Sequence, residues 1–565
     1  MKKISCFFTV WTFCTGILFG QSTMLPHDPD VYHWITRAEI KTRALNGKFH
    51  SAVKPLDRKE IVNLFEQFAL DSTNISPADR FQIRFFRETS SEFALPDSSG
   101  NRSGKQTNFF RRQADLLSYA SKDLDLHANV VGYGGLGKVN SGEQKNTFIN
   151  TRGVEVRGMI ANKVGFYTFM AENQIKVPDY VNNWTKQNFS VPHEGFWKRY
   201  SETGYDFFTA RGYFTFQASP FIHFQVGHDR VHIGNGYRSL ILSDFGNNYS
   251  FARITTQVWK FQYTNLYANL KTNLTVGPSG TPGSRKIPDK FFFFHRLGLN
   301  IGKSFNLGLF EAIVAGQASG GVDLSYLNPI IFYRALEQNA GSPDNAGLGL
   351  DARWIGWKHF QIYAQVYLDE FLLKEMKAQN GWWGNKYALQ GGLHYIDVAG
   401  IKNLDIQLEQ NFVRPFTYSH LDDYRAYSHY SQPLAHPLGA NFNETVAILR
   451  YQPFPKWNLS LKVIRYKQGR DPVNGKNYGG NVLRGYADGR VQEYGNEVGQ
   501  GDQWNIFYAD GGISFQPWTQ FFLDARLVYR DQTVRFIGSN QTQKTSIVYP
   551  SMAVRWNIPQ RLHEF

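Results

Sequence analysis

Cysteine is almost absent from this chain: 565 residues contain two, Cys6 and Cys14. Both fall in a stretch where Lys2 and Lys3 precede an apolar run from Ile4 to Phe19 that ends at Gly20. Residues 1–20 read as a secretory signal peptide. A chain that sheds them holds no thiol, which excludes disulfides, thiolate nucleophiles and Cys-ligated metals. Trp11, Thr12 and Phe13 stand before Cys14 where a lipid anchor needs small residues, so lipidation is excluded too. Charge is also scarce, at 19% of residues against about 25% in ordinary soluble domains. No run of about 18 apolar residues follows the leader, which excludes a bundle of membrane-spanning helices.

Aromatic residues are abundant: 46 Phe, 30 Tyr and 13 Trp, with a mean hydropathy of -0.40. So much apolar material excludes a disordered chain. Abundant aromatics, polar average hydropathy and no long apolar run combine in the transmembrane β-barrel, whose strands are apolar only at alternate positions. The net charge of +14 becomes +12 once the leader with Lys2 and Lys3 is removed. In an exported chain that excess suits anionic lipid, lipopolysaccharide or acidic glycan rather than nucleic acid.

The pattern divides the mature chain in two. Residues 21–108 predict a small helical periplasmic head and linker. Ile61, Leu64, Phe65 and Phe68 fall on one helical face behind Asp57 and Glu60 at capping spacing. Ser76, Pro77 and Asp79 mark a second start, Val31–Leu45 offers a third helix, and 96–108 is rich in Ser, Gly and Asn. From 109 to 565 the period becomes two. Phe360, Ile362, Ala364, Val366 and Leu368 alternate with Gln361, Tyr363, Gln365, Tyr367 and Asp369. About eighteen such strands can be placed between 124 and 557, joined alternately by short turns and long loops. Trp357, Trp457 and Trp518 stand at the short turns, as an interfacial girdle requires. The architecture predicted is an all-β outer-membrane barrel with extracellular long loops and both termini periplasmic.

Catalytic signals are weak. Gly234 and Gly236 lack the helix and lysine of a phosphate loop. Neither the histidines nor the carboxylate pairs Asp369–Glu370 and Asp422–Asp423 form a metal or glycosidase pattern. No catalytic residue, metal or cofactor is predicted. The loops carry a different chemistry. Residues 468–502 hold Tyr478, Arg484, Tyr486 and Arg490, and residues 370–384 hold Trp382 and Trp383. Aromatic faces stack on sugar rings, and Arg grips carboxylates with two parallel donors.

The segments GHDRVHIGNGYRSLILSDFG (227–246), SYLNPIIFYRALE (325–337), RPFTYSH (414–420), AHPLGANFNE (435–444) and YGNEVGQGDQ (494–503) resemble the Wzi-like capsule assembly family. They are most similar to its branch in gliding bacteria, which includes proteins resembling the gliding motility protein RemB. PLDRKEI at 55–61 extends the likeness into the head. The resemblance implies an eighteen-stranded barrel with periplasmic helices and an obstructed lumen that helps hold capsular or exopolysaccharide at the cell surface. Through the shared motifs it adds Arg238, Tyr333 and Arg334 to the candidate glycan contacts. Competing readings are a motility or adhesion component binding a protein partner, a diffusion porin, and a surface glycosidase or deacylase.

Overall fold

A computed structural model of the chain describes residues 22–70, 75–94, 114–272, 287–316, 324–330, 332–333, 344–473 and 475–565. The expected leader with Cys6 and Cys14, the linker at 96–108, and Arg334 lie outside the described residues.

Among the described residues, eighteen antiparallel strands close into one barrel. The first is Leu124–Lys138 and the last Thr542–Trp556. The ring closes where Ser551 pairs with Gly137 and Trp556 with Gly132. The two-residue period decides which side chains face where. Along Phe360–Glu370, Gln361, Tyr363, Gln365 and Tyr367 are buried, while Ile362 is exposed. Around the ring, Leu136, Met170, Phe208, Phe214, Leu309, Leu527 and Met552 stand out from the wall. In water such a band would aggregate; against hydrocarbon it is the required surface. The inner face is polar and paired. Arg296 forks onto both oxygens of Asp351 at 2.7 Å each, with neither side chain accessible. Buried charges persist only when matched this way.

The first strand runs past its expected end to Lys138, and its neighbour begins at Asn146, so the loop expected at 134–149 shrinks to 139–145. Gly132, Gly134, Gly135 and Gly137 lack side chains, so the hydropathy period was silent there although the backbone ladder continues. The expected Trp357, Trp457 and Trp518 are exposed at short-turn ends, joined by Trp259.

Three helices precede the barrel: α1 Pro29–Thr42, α2 Arg58–Leu70 and α3 Pro77–Thr89. Asp28 caps the first, and Ser76 with Asp79 forms a reciprocal capping box on the third, with Pro77 at its first position. Their apolar faces meet in a core in which Phe65 stacks on Phe86 at 4.0 Å and Trp34 meets Phe85 edge-on at 5.2 Å. This head covers the short-turn mouth of the barrel. The Leu45 amide donates to the Lys303 carbonyl at 2.8 Å, Gln82 donates to Gln452 at 2.7 Å, and Thr519 bonds Glu88. At its centre is Arg37, which reaches Asp79 of α3 and both Asp397 and Asp405 of the wall.

Candidate functional site

The lumen is filled from three directions. The head closes the short-turn mouth, and its Val53 and Lys54 pair with Ile233 and His232 of the loop 230–248, which folds inward. Leu240, Ile241 and Leu242 of that loop are wholly buried, held by hydroxyls of a second inward loop: Tyr418 donates to the Leu240 carbonyl at 2.7 Å and Tyr427 to that of Ile241 at 2.8 Å. The glycines of the first loop are explained by backbone conformation and proximity. Gly234 has a φ of +146°, where an L side chain is strained, and a Cβ on Gly236 would come within 2.8 Å of the Arg238 backbone carbonyl as well as striking Glu409.

Residues 557–565 form the third filler. They leave the last strand at the short-turn end and turn back into the barrel. Arg561 bonds Asn173 at 3.1 Å, the His563 carbonyl accepts from Tyr180 at 2.7 Å, and Glu564 accepts from Tyr237 at 2.6 Å and pairs with Lys462. Burial opposes ionisation of Glu564, but Lys462 and Arg238 outweigh it and hold the carboxyl down to about 2. Phe565 ends among Trp184, Phe245 and Tyr180, which come from the long-loop side. Its aromatic ring therefore lies inside the lumen, away from the end of the final strand.

Two residues expected from the shared motifs lie away from the long loops 370–384 and 468–502. Arg238 lies deep in the lumen. Its guanidinium is 3.4 Å from Glu444 and donates to the Glu564 carbonyl at 3.0 Å, while its amide donates to Glu409 at 3.1 Å. It anchors the inward loop to the wall and the tail. Tyr333 lies on the outside of the barrel. It is fully buried, stacked on His295 at 4.1 Å, and its amide donates to Glu311 at 2.8 Å. Residues 324–330 and 332–333 fold over the outer wall here, covering Asn265, His295 and Glu311 and presenting Ile330 (83% exposed) and Phe332 (75% exposed) to the surroundings. The segment shields polar groups that lipid would otherwise meet, a need that one-chain pattern reading does not reveal.

The long loops do assemble one exposed cluster. Trp382 and Trp383 both donate their indole N–H to the same oxygen of Glu493, at 3.0 and 2.9 Å. Arg490 holds the other oxygen at 2.7 Å and lies 4.0 Å over the Trp383 ring. Tyr486 packs 4.7 Å from Trp383, with the Lys386 ammonium 4.9 Å over its ring. Backbone bonds weld the loops: the Trp383 amide to the Glu493 carbonyl at 3.0 Å, Gly495 to Asn380 at 2.8 Å, and Tyr486 to His420 at 2.9 Å. Slight desolvation opposes the Glu493 charge, but the two indoles and Arg490 outweigh it and hold the carboxyl below its ordinary range. The result is a half-exposed aromatic platform that can stack on a ring, its cations held in place by carboxylates: Arg490 by Glu493, and the buried Lys386 by Asp369 at 3.1 Å and Glu370 at 3.3 Å.

Four expected residues thus meet: Trp382, Trp383, Tyr486 and Arg490. Tyr478 and Arg484 do not join them. Arg484 braces its own loop through Asp488 at 2.8 Å and the Gly475 carbonyl at 3.0 Å. Tyr478 contributes backbone, its amide donating to Asp471 at 2.8 Å and its carbonyl accepting from Gln500 at 2.8 Å. Glu493, the organiser, was missed; its three-residue spacing from Arg490 was the available signal. Replacing it with alanine leaves both indole N–H groups without their acceptor. Near-ultraviolet circular dichroism of Glu493→Ala is expected to lose tryptophan signal while the far-ultraviolet strand spectrum stays.

No protein-family model matches the chain, and no curated protein matches it. Among solved structures, the chain is similar to Wzi, an outer-membrane protein involved in group 1 capsule assembly in Escherichia coli, described as a carbohydrate-binding β-barrel. The TM-score is 0.58 at 12% identity, over 95% of this chain and 100% of that one. It also matches Pseudomonas aeruginosa OccK8 (OprE), with a TM-score of 0.40 at 9% identity over 76% of this chain and 98% of that one. Pseudomonas aeruginosa OprD matches at 0.39 and 11% over 76% and 93%. At such identity the likeness to Wzi speaks for the fold: this chain has a Wzi-like barrel.

Proposed function

We propose that this protein is an outer-membrane barrel that retains a capsular or exopolysaccharide at the cell surface by non-covalent binding, without turnover. The observation that carries the reading is the exposed platform of Trp382, Trp383, Tyr486 and Arg490 organised on Glu493. The carbohydrate binding described for Wzi, whose fold this chain shares, supports it. The filled lumen favours surface attachment over diffusion. In this reading the long loops face outward, the apolar wall meets lipid and lipopolysaccharide, and the helical head faces the periplasm, where it is free to meet a protein partner. An anionic polymer suits the basic chain.

The test is polysaccharide attachment in a deletion strain carrying variants, paired with binding by the purified protein in detergent. Trp383→Ala is expected to weaken binding roughly tenfold, the equivalent of about 1.4 kcal/mol. Arg490→Ala should weaken it less, and added salt should mimic that loss, since exposed charge pairing is screened over about 8 Å at physiological ionic strength. Arg484→Ala, whose guanidinium is engaged within its own loop, serves as the milder control. Binding indifferent to Trp383, Arg490 and salt alike would refute the platform. Colony spreading measured in the same strain tests the motility alternative, which predicts a spreading defect with polysaccharide still attached.

A further inference from the structure

The filled lumen retains several voids, and one of them is walled by an excess of cations. A cavity of about 210 Å³ lies between the head, the inward loop 230–248, the tail and both sides of the wall. Six Lys and Arg side chains line it against three carboxylates, Glu194, Asp244 and Glu564. Each carboxylate already has a partner. Glu564 pairs with Lys462, Glu194 with Arg561 at 3.4 Å, and Asp244 with His27 at 2.8 Å.

Among the described residues, three of the cations have no carboxylate within ion-pair distance. The Arg211 guanidinium lies 4.2 Å over the Phe169 ring, and its Nε has no hydrogen-bond partner. The Lys54 ammonium lies 5.5 Å over the Tyr32 ring. The Arg230 side chain reaches only the Asp244 and Gly246 carbonyls, at 2.9 and 3.5 Å. Beside them is His232, 3% exposed, with no hydrogen-bond partner on either ring nitrogen and the nearest Asp244 oxygen 3.6 Å from Nδ1. Cations without a direct ion pair and an imidazole without a hydrogen bond leave donors unused inside the fold, and a bound anion bearing hydroxyls would engage both. Burial keeps the His232 ring neutral, down at about 3, and so able to donate to and accept from a hydroxyl. The void is smaller than the roughly 300–1,000 Å³ of a drug-sized ligand pocket, which limits the occupant to one small ring.

We propose that this lumen cavity is a second binding site, for a single carboxylate-bearing sugar unit held by Arg211, Lys54 and Arg230 and read by His232. The choice of a sugar acid rests on the glycan-retaining reading above; the anion preference rests on the cavity alone.

The experiment is equilibrium titration of the purified full-length chain in detergent with glucuronic acid, with glucose and inorganic phosphate as comparison arms. Glucuronic acid is expected to saturate the wild type, and glucose is not. Arg211→Gln and Lys54→Met should each weaken glucuronate binding roughly tenfold, the loss of one charged contact. Arg211→Lys, which keeps the charge, should stay within a few-fold of wild type and guards against a folding artefact. Trp383→Ala should lower polymer binding and leave in place the component of glucuronate binding that Arg211→Gln and Lys54→Met remove, which separates the cavity from the loop platform. Failure of glucuronate to bind the wild type, or equal binding by Arg211→Gln, would overturn the proposal. Phosphate binding as tightly as glucuronate would overturn its sugar assignment.

Discussion

Replacing Arg37 with alanine is expected to release the helical head from the barrel mouth. Its guanidinium is 1% exposed and holds three carboxylates, reaching Asp79 at 3.1 Å, Asp405 at 2.5 Å, and Asp397. Removing it leaves Asp405 with His33 at 2.9 Å and Asp79 with Lys41 at 2.6 Å, while Asp397 keeps the Asn403 amide at 2.7 Å and Lys41 at 3.5 Å. Truncating one partner of a buried ion pair costs about 3–5 kcal/mol, because the abandoned charge stays desolvated. At 1.4 kcal/mol per tenfold, even the lower figure raises the population with an undocked head roughly a hundredfold. Hydrogen exchange in α1 and protease cleavage of the head should rise accordingly, with Arg37→Lys intermediate.

Acid should act in the same direction. Burial alone would raise the Asp79 carboxyl, but Arg37 and Lys41 outweigh it and hold it below its ordinary value. A depressed carboxyl contributes stability above its unfolded pKa of about 3.9 and loses it as the pH falls through the lower folded value. Head docking should therefore hold at neutral pH and weaken only in strong acid. Unchanged exchange in Arg37→Ala would mean that apolar contacts dock the head.

Shortening the chain after Asn557 is expected to turn a sealed barrel into a leaky one. An unfilled barrel of this width encloses an aqueous channel, and residues 558–565 occupy part of that space. Their loss removes Glu564 from Lys462 and Arg238, the Phe565 carbonyl from Arg530, and the Phe565 ring from Trp184 and Phe245. The inward loop then keeps Glu409, Glu444 and Gln365 as its wall anchors. In planar bilayers the intact protein should show no large stable conductance, and the shortened one should show frequent openings. A large stable conductance from the intact protein would instead favour a porin and would count against surface retention as its role.

Local patterns account for much of what was legible beforehand. The alternation over Phe360–Asp369 placed Gln361 and Tyr363 inside and Ile362 outside because a strand has no other way to orient successive side chains. Ser76, Pro77 and Asp79 marked a helix start because their groups bond only near neighbours. The same logic failed along Gly132–Gly137, where there were no side chains to carry a period. Among the candidate contacts, Trp382, Trp383, Tyr486 and Arg490 met because two loops rising from the same rim can reach each other, while Arg484 found partners within its own loop. Arg238 and Tyr333 entered through motif likeness, and nothing in a motif distinguishes an arginine that holds a plug from one that holds a ligand.

The sequence by itself determined the barrel, its polar interior and apolar exterior, the helical head, and the chemical character of the loops, because each follows from spacing between residues close along the chain. Tertiary structure alone decided that residues 557–565 turn back into the lumen, that 324–330 and 332–333 lie over the outer wall, and that Glu493 organises the platform. Those outcomes depend on ion pairs and hydrogen bonds between groups far apart in the chain, such as Glu564 with Lys462 and Tyr333 with Glu311. Their strength comes from desolvation in a place that exists only once the ring has closed.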